Sequence, residues 1–191
     1  MQTIFATPEQ GKEPTQQKSD MKILVCISKT PDTTAKIAFT DNNTKFSGDG
    51  VQWIINPYDE WYALVRALEI KETLGGNVTI ITVGAAADEA VIRKALAIGA
   101  DDAVRIDADP KDAYYTAVQI AEYAKNNQFD LVLTGKETIN YNGSQVGGMI
   151  AEALDAPFIS SHLYDVMSRS IELMKSVNTL PTWALSNHDS P

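Results

Sequence analysis

From Met21 onward, apolar positions alternate between short unbroken runs and helical stripes. Lys22 to Ser28 (KILVCIS) is an apolar run rich in β-formers, as expected of a central parallel strand covered on both faces. Lys36 to Thr40, the DNNT turn and Lys45 to Ile55 read as less regular extended pieces, a small hairpin beside the main sheet. After Asn56-Pro57, the residues Trp61, Leu64, Val65 and Leu68 recur at i, i+3, i+4 and i+7 and predict a helix that Gly75-Gly76 ends. Val78 to Val83 is a second buried strand stopping at Gly84. Asp88 is placed to cap a helix that carries Val91, Ile92, Ala95 and Leu96 as far as Gly99. Ala103 to Ile106 reads as a third strand, and Asp112 to Lys125 as a helix with Ala113, Ala117, Ile120, Ala121 and Ala124 on one face. Leu131 to Leu133 is the next strand, followed by a helix from Ser144 to Leu154. Strands alternating with helices of this length imply an α/β fold, a doubly wound parallel sheet with right-handed crossovers and helices on both faces.

The pattern changes after Ser160. Residues 162–177 can be drawn as an amphipathic helix with Leu163, Val166, Met167, Ile171 and Met174 on one side, whereas TLPTWALSNHDSP has no clear period and ends in turn formers. No further strand and helix repeat is legible there. The division expected is a disordered leader over 1–20, an α/β domain over 21–160 and an atypical tail over 161–191, with one helix followed by disorder.

Composition narrows the function classes. A chain of 191 residues, 44% hydrophobic and 21% charged, suits one domain with a real core. A net charge of -9 disfavours nucleic-acid backbones and anionic membrane surfaces, which need clustered Lys and Arg. No apolar run is long enough to cross a bilayer, so no membrane insertion is expected. The first twenty residues lack the charged and apolar regions of a secretion signal and carry acidic side chains unlike a transit peptide, so a cytoplasmic location is expected. The single cysteine excludes an internal disulfide framework and a cysteine zinc cluster.

The candidate chemistry sits in Asp130 to Met149, DLVLTGKETINYNGSQVGGM. A loop at the carboxyl end of a parallel strand, closed by the free amides of a helix N-terminus, is where open α/β sheets hold anions. Ser144 and the amides of Gln145 and Val146 are placed to receive a phosphate, with Lys136 adding charge, and the glycines allow close backbone approach. The spacing is neither GxxxxGK[ST] nor GxGxxG, and a merely flexible loop stands beside the anion-binding reading. Asn56-Pro57-Tyr58-Asp59-Glu60 reads first as a helix start, with Asn56 as cap, Pro57 at the first helical position and two carboxylates at the positive end of the dipole. Its functional alternative is an exposed Asn amide at a strand-to-helix corner that recognises a base or ribose. Cys26 reads as buried and inert. His162 and His188 have no partner at metal-ligand spacing, and no nucleophile elbow or catalytic triad is visible. Asp101-Asp102, Asp107 and Asp109 are acidic pairs near a strand, which a solvated loop explains at least as well as metal binding or acid-base work. The body is built to bind, without machinery of its own for breaking bonds.

Four segments carry a resemblance. KILVCISKTPD, INPYDEWYALVRALEIKE, IRKALAIGADDAVRI and DLVLTGKETINYNGSQVGGMIAEALDAPF, in that order from Met21 to about Ser160, resemble the beta subunit of electron transfer flavoprotein. The resemblance implies a fold of the adenine nucleotide alpha-hydrolase-like type. It implies a structural AMP in this subunit and pairing with an electron transfer flavoprotein alpha subunit that holds FAD. Electrons would then pass from acyl-CoA dehydrogenases and other dehydrogenases to a quinone reductase or another acceptor, as in fatty acid oxidation. In electron-bifurcating relatives a second FAD takes the place of AMP. Carried residue by residue, it implies that the backbone at Cys26 and the position of Val83 lie by the adenine. Asn56, Pro57, Tyr58 and Asp59 match the corner that contacts the nucleotide. Gly135, Lys136, Glu137, Thr138, Ile139 and Asn140 with Tyr141, Asn142, Gly143, Ser144, Gln145 and Val146 match the phosphate and ribose loop.

Two departures accompany the resemblance: the leader before Met21, and everything after Ser160, where the family continues with further strands, a docking loop and an arm around the alpha subunit. The expectation is a truncated version, with the C-terminal part of the family fold missing, an unpaired sheet edge, and an electron-transfer activity it does not complete. The alternative is a stand-alone AMP- or ATP-binding protein of the universal stress type, whose G-x2-G-x9-G-[ST] loop Gly135 to Gly148 does not match. An adenylating enzyme with an SGGxDS loop is disfavoured by Ser28-Lys29-Thr30-Pro31-Asp32.

Overall fold

The apolar runs become neighbouring strands and the stripes become the helices that cover them. A computed structural model describes residues 21–160 and 182–185. In chain order the elements are β1 (Lys22–Cys26), β2 (Lys29–Pro31), β3 (Phe39–Thr40), β4 (Lys45–Phe46), β5 (Trp53–Ile55), α1 (Asp59–Leu74), β6 (Asn77–Val83), α2 (Glu89–Ile98), β7 (Asp102–Ile106), α3 (Ala113–Asn127), β8 (Leu131–Gly135), α4 (Val146–Leu154), β9 (Phe158–Ser160) and β10 (Thr182–Leu185). The main sheet has the order β7-β6-β1-β8-β10-β9, and its pairs are all parallel. The expected doubly wound α/β class is therefore the observed one.

Successive side chains of a strand point to opposite faces, and β1 supplies a core on each side. Ile23, Val25 and Ile27 meet Ala63, Leu64, Ala67 and Ile70 of α1 and Val91, Ile92 and Ala95 of α2. Leu24 and Cys26 join Ala117, Ile120 and Ala124 of α3 and Ile150 of α4 on the other face. The predicted stripes of α2 and α3 are buried except at their ends, Leu96 and Ala113, whereas in α1 the buried face is Ala63, Leu64, Ala67 and Ile70, and of the predicted stripe Leu64 is buried while Trp61, Val65 and Leu68 are half-buried. The hairpin also forms: β3 pairs antiparallel with β4, and β2 with β5 in a separate ribbon. The edge-to-face pair Phe46–Trp53 ties the two together, and within the β2–β5 ribbon the Lys29 ammonium lies 4.8 Å from the Trp53 ring centroid.

Several boundaries differ from expectation for physical reasons. Helix α1 starts at Asp59, not at Pro57, because Tyr58 adopts φ 63 and ψ -104, outside the helical region, and Asn56 makes no cap. Asp88 precedes α2 without a capping bond and instead ion-pairs with Lys29. Helix α4 starts at Val146, not Ser144, since Ser144 has φ 49 and its hydroxyl donates to Glu137 Oε2 at 2.9 Å. Asp112, read as the first residue of a helix, is instead the cap of α3, its Oδ1 accepting from the Tyr115 amide at 2.7 Å.

The strand β10 was not legible. It falls in the segment read as aperiodic, yet Thr182 to Leu185 pair in parallel with Val132 to Gly135 of β8 and, at their start, with β9. β8 is therefore an interior strand, and the edges of the sheet are β7 and β9. The leader over 1–20 and the helix drawn over 162–177 lie outside the described residues.

Candidate functional site

The central strands part company at their carboxyl ends. β1 and β8 pair only as far as Val25 and Leu133. Beyond that point β1 continues beside β6, Cys26 opposite Ile81 and the Ile27 amide donating to the Ile81 carbonyl at 3.0 Å. β8 meanwhile continues beside β10 through Thr134 and Gly135. The chain leaves β1 toward one side of the sheet and β8 lies on the other, so this split is a topological switch point, the place where open parallel sheets bind ligands.

Into the split reaches the corner before α1. Glu60, buried, accepts from the Ser28 amide at 2.6 Å and from the Ser28 hydroxyl at 3.0 Å. Its backbone lies so close to β8 that a Cβ on Gly135 would stand 2.9 Å from both Glu60 Cγ and Glu60 N, so only glycine fits there. Asn56 has no exposed surface: its Nδ2 donates to Ser28 Oγ at 3.2 Å and to Asn140 Oδ1 at 2.9 Å, and its Oδ1 accepts from the Ile139 amide at 3.0 Å. Asp59 Oδ2 accepts from the Glu137 amide at 3.1 Å. One corner thereby holds both the end of β1 and the loop after β8.

Those bonds correct one expectation. The amide of Asn56 is not exposed; it is consumed in fixing the loop, because a buried side-chain amide needs every partner it can find. Tyr58, by contrast, is about half exposed and carries its strained positive φ beside Pro57.

The loop from Gly135 to Val146 rises from β8 to the start of α4. Lys136, Glu137 and Thr138 are half-buried; Ile139 to Gln145 are exposed, and Tyr141 is 80% exposed. The Asn142 amide donates to the Thr138 carbonyl at 2.8 Å, closing a turn in which Asn142 takes φ 49. Gly143 has open space where a Cβ would be, so Gly135, and not Gly143, is the glycine that packing demands. The first amides of α4, from Val146, have no partner inside the helix and face the carboxyl edge of the sheet. Cys26 and Val83, both nearly buried, lie in the core on the α3 and α4 side, across the sheet from Asn56, Asp59 and Glu60.

Burial dominates the electrostatics. It pushes the Cys26 thiol far up, helped by Glu60, so the thiol is inert as expected. It raises the Glu60 carboxyl from 4.5 to about 8, with Asp59 adding to the rise and the two Ser28 bonds opposing it. Among the described residues no group of three or more His, Cys, Asp or Glu is placed to hold a metal, and no helix is long and apolar enough to cross a membrane. Ser28 and Glu60 were missed as site residues. Glu60 read only as a dipole partner, and the available signal was the glycine ending an apolar strand, a mark of close approach by another element.

Known proteins match this chain closely. The family model described as the electron transfer flavoprotein domain matches residues 44–163. The electron transfer flavoprotein subunit beta of Bacillus subtilis is 41% identical over 145 residues, 74% of this chain and 55% of that protein. Protein FixA of Azotobacter vinelandii is 36% identical over 162 residues, 80% of this chain and 57% of its own. The acryloyl-CoA reductase electron transfer subunit gamma of Anaerotignum propionicum is 33% identical over 147 residues, 73% and 54% respectively. The chain thus spans about half the length of the curated relatives it matches. On the extent and identity of these matches, the chain belongs to the electron transfer flavoprotein family as a beta-subunit-like protein.

Proposed function

We propose that this chain binds AMP at the split between β1 and β8 and acts as the nucleotide-holding part of an electron transfer flavoprotein beta-type subunit. The observation that carries the reading is the parting of β1 and β8 beyond Val25 and Leu133, with a long exposed loop and a helix N-terminus at the same edge. The residues fit the ligand. The amides opening α4 are suited to a phosphate, and Ser144 and Lys136 stand in the same loop. Cys26 and Val83, apolar and at the ends of adjacent strands, suit the flat face of an adenine. Asn56 and Asp59 hold the loop in place from the opposite face, and Tyr58 presents its ring at the corner.

In the complete assembly an alpha subunit would carry FAD, which supplies the redox chemistry when bound. This chain's own residues bind and orient; among the described residues none is placed to make or break a bond. A relative named as an electron transfer subunit of acryloyl-CoA reductase supports electron exchange with an enzyme that acts on an acyl-CoA thioester. Within the proposal, acyl-CoA dehydrogenases are the donors and a quinone reductase or another carrier the acceptor. Where bifurcation occurs, a second FAD would take the AMP position.

The test is to release the small molecule from purified protein and identify it by mass. AMP is the expected result and FAD would mark the bifurcating variant. Failure to retain or bind either, in a chain with native secondary structure, would overturn the proposal. Co-expression with an alpha subunit, followed by co-purification at equal stoichiometry, tests the partner.

A further inference from the structure

The bonds at the corner before α1 have a direction. The Ser28 hydroxyl has one hydrogen, which it gives to Glu60, and its oxygen then accepts from Asn56 Nδ2. With Nδ2 so committed, Asn56 turns its Oδ1 to the Ile139 amide. Reverse the first bond and the rest loses its orientation.

We propose that Glu60 is a positioning residue: its carboxylate sets the direction of the Ser28 hydroxyl and, through Asn56, holds the loop after β8 in the form that receives a nucleotide. The inference rests on the nucleotide reading above only for the loop's purpose. The relay itself is a property of the chain without ligand.

Glu60 is fit for this because it spans the split. Its carboxylate holds Ser28 at the end of β1, while its Cγ lies against Gly135 at the end of β8. Ionised, it accepts both Ser28 hydrogens. Protonated, it can donate to Ser28 Oγ, which accepts that hydrogen beside the one from Asn56 Nδ2; the Ser28 hydroxyl hydrogen is then released from the carboxyl and the direction of the relay is no longer fixed. The ionised form therefore orders the loop better. The groups bearing on its charge are Asp59 beside it on α1, which favours protonation, and the Cys26 thiol on β1, held neutral by burial; β8 contributes Thr134 and Gly135, which do not titrate. With the carboxyl raised to about 8, the change of state falls in an accessible range.

The test reads two amides by hydrogen exchange in the ligand-free full chain, corrected for intrinsic rate: Ile139, bound to Asn56, and Glu137, bound to Asp59. From about pH 6.5 to about pH 9, protection of Ile139 should rise roughly fivefold, the margin by which a charged acceptor outdoes a neutral one. Glu60→Gln, which mimics the protonated acid by donating to Ser28 Oγ, should hold Ile139 at the low value across the range. Ser28→Ala, which keeps the carboxyl at position 60 but removes the hydroxyl that links it to Asn56, should flatten the profile in the same way. A wild-type profile in Glu60→Gln, or an unchanged profile in Ser28→Ala, would overturn the relay. AMP titrations over the same range separate the two readings. Binding that tightens with pH in the wild type and stays flat in Glu60→Gln supports both; a flat AMP profile with the exchange relay intact would overturn the link to the nucleotide, while the relay itself would stand.

Discussion

Asn56 offers the sharpest test of how the loop is held. Truncation to alanine removes three hydrogen bonds, to Ile139, Asn140 and Ser28. At about 1 kcal/mol net for each, the ceiling is about 3 kcal/mol, but Asn140 and Ile139 are exposed enough to recover water, so the expected loss is about 2 kcal/mol. Asn56→Asp keeps the shape and the acceptor for the Ile139 amide, yet it buries a carboxyl in a place with no exposed surface, close in sequence to Asp59 and Glu60. Burial and those neighbours must raise the new carboxyl above the ordinary Asp range, so its penalty is small at low pH and grows as pH rises through the raised value. Urea unfolding at about pH 4, near the ordinary Asp value where the titration has barely begun, and at about pH 8, each variant compared with wild type at the same pH, should show alanine equally destabilising at both. Aspartate should cost less than alanine at the lower pH and roughly 3 kcal/mol or more at the higher. Should aspartate be better tolerated than alanine at about pH 8, the corner is open to water and the proposed clamp is wrong.

Three further outcomes follow from the same geometry. Gly135→Ala drives a methyl to 2.9 Å from Glu60 Cγ and N, so it should lower stability by about 1–3 kcal/mol in denaturant titration, whereas Gly143→Ala, with open space at its Cβ, should stay within about 0.5 kcal/mol of wild type. Asp112→Ala removes the cap of α3 and should cost about 1 kcal/mol, read from the thermal midpoint. Glu60 is raised from 4.5 to about 8, so the native state holds its proton more tightly than the unfolded chain, and its contribution to stability is fully present below about pH 4.5 and falls away as pH rises toward about 8. Glu60→Gln should flatten that slope, and a variant with the wild-type slope would place the titration elsewhere.

Local signals were legible and tertiary ones were not. The strands at Lys22–Cys26 and Asn77–Val83 and the existence of α1 follow from local pattern, and the helix start near Asp112 was legible because its capping bond spans three residues, although the buried face of α1 is displaced from the stripe read for it. Asn56-Pro57 carried the same kind of local signal and misled, because its partners lie 28 and 84 residues away and outweigh the cap. Tyr58 then takes a backbone conformation that no propensity favours. Thr182–Leu185 is four residues with no period, and its place between β8 and β9 is set by their ladders, not by its own pattern. The loop after β8 was found because a strand ending in glycine before a helix is a local arrangement. Its tether to Ser28 and Glu60 was not.

The buried carboxyl at position 60 deserves a physical reason, since an apolar side chain of similar size would be easier to bury. Leucine there would leave the Ser28 amide, 2.6 Å from the carboxylate, without its acceptor, and would leave the Ser28 hydroxyl free to turn away from the orientation that engages Asn56. The two strands have already separated at this point, so no ladder bond between β1 and β8 takes over the Ser28 amide. A carboxylate reaching across the gap from a third element satisfies the end of β1 while the glycine at 135 lets that element approach β8. The opening of the sheet and the burial of Glu60 are therefore one feature. The split where a ligand is proposed to bind also leaves a backbone donor needing a partner, and the residue that supplies it gains a hold on the loop at the same edge.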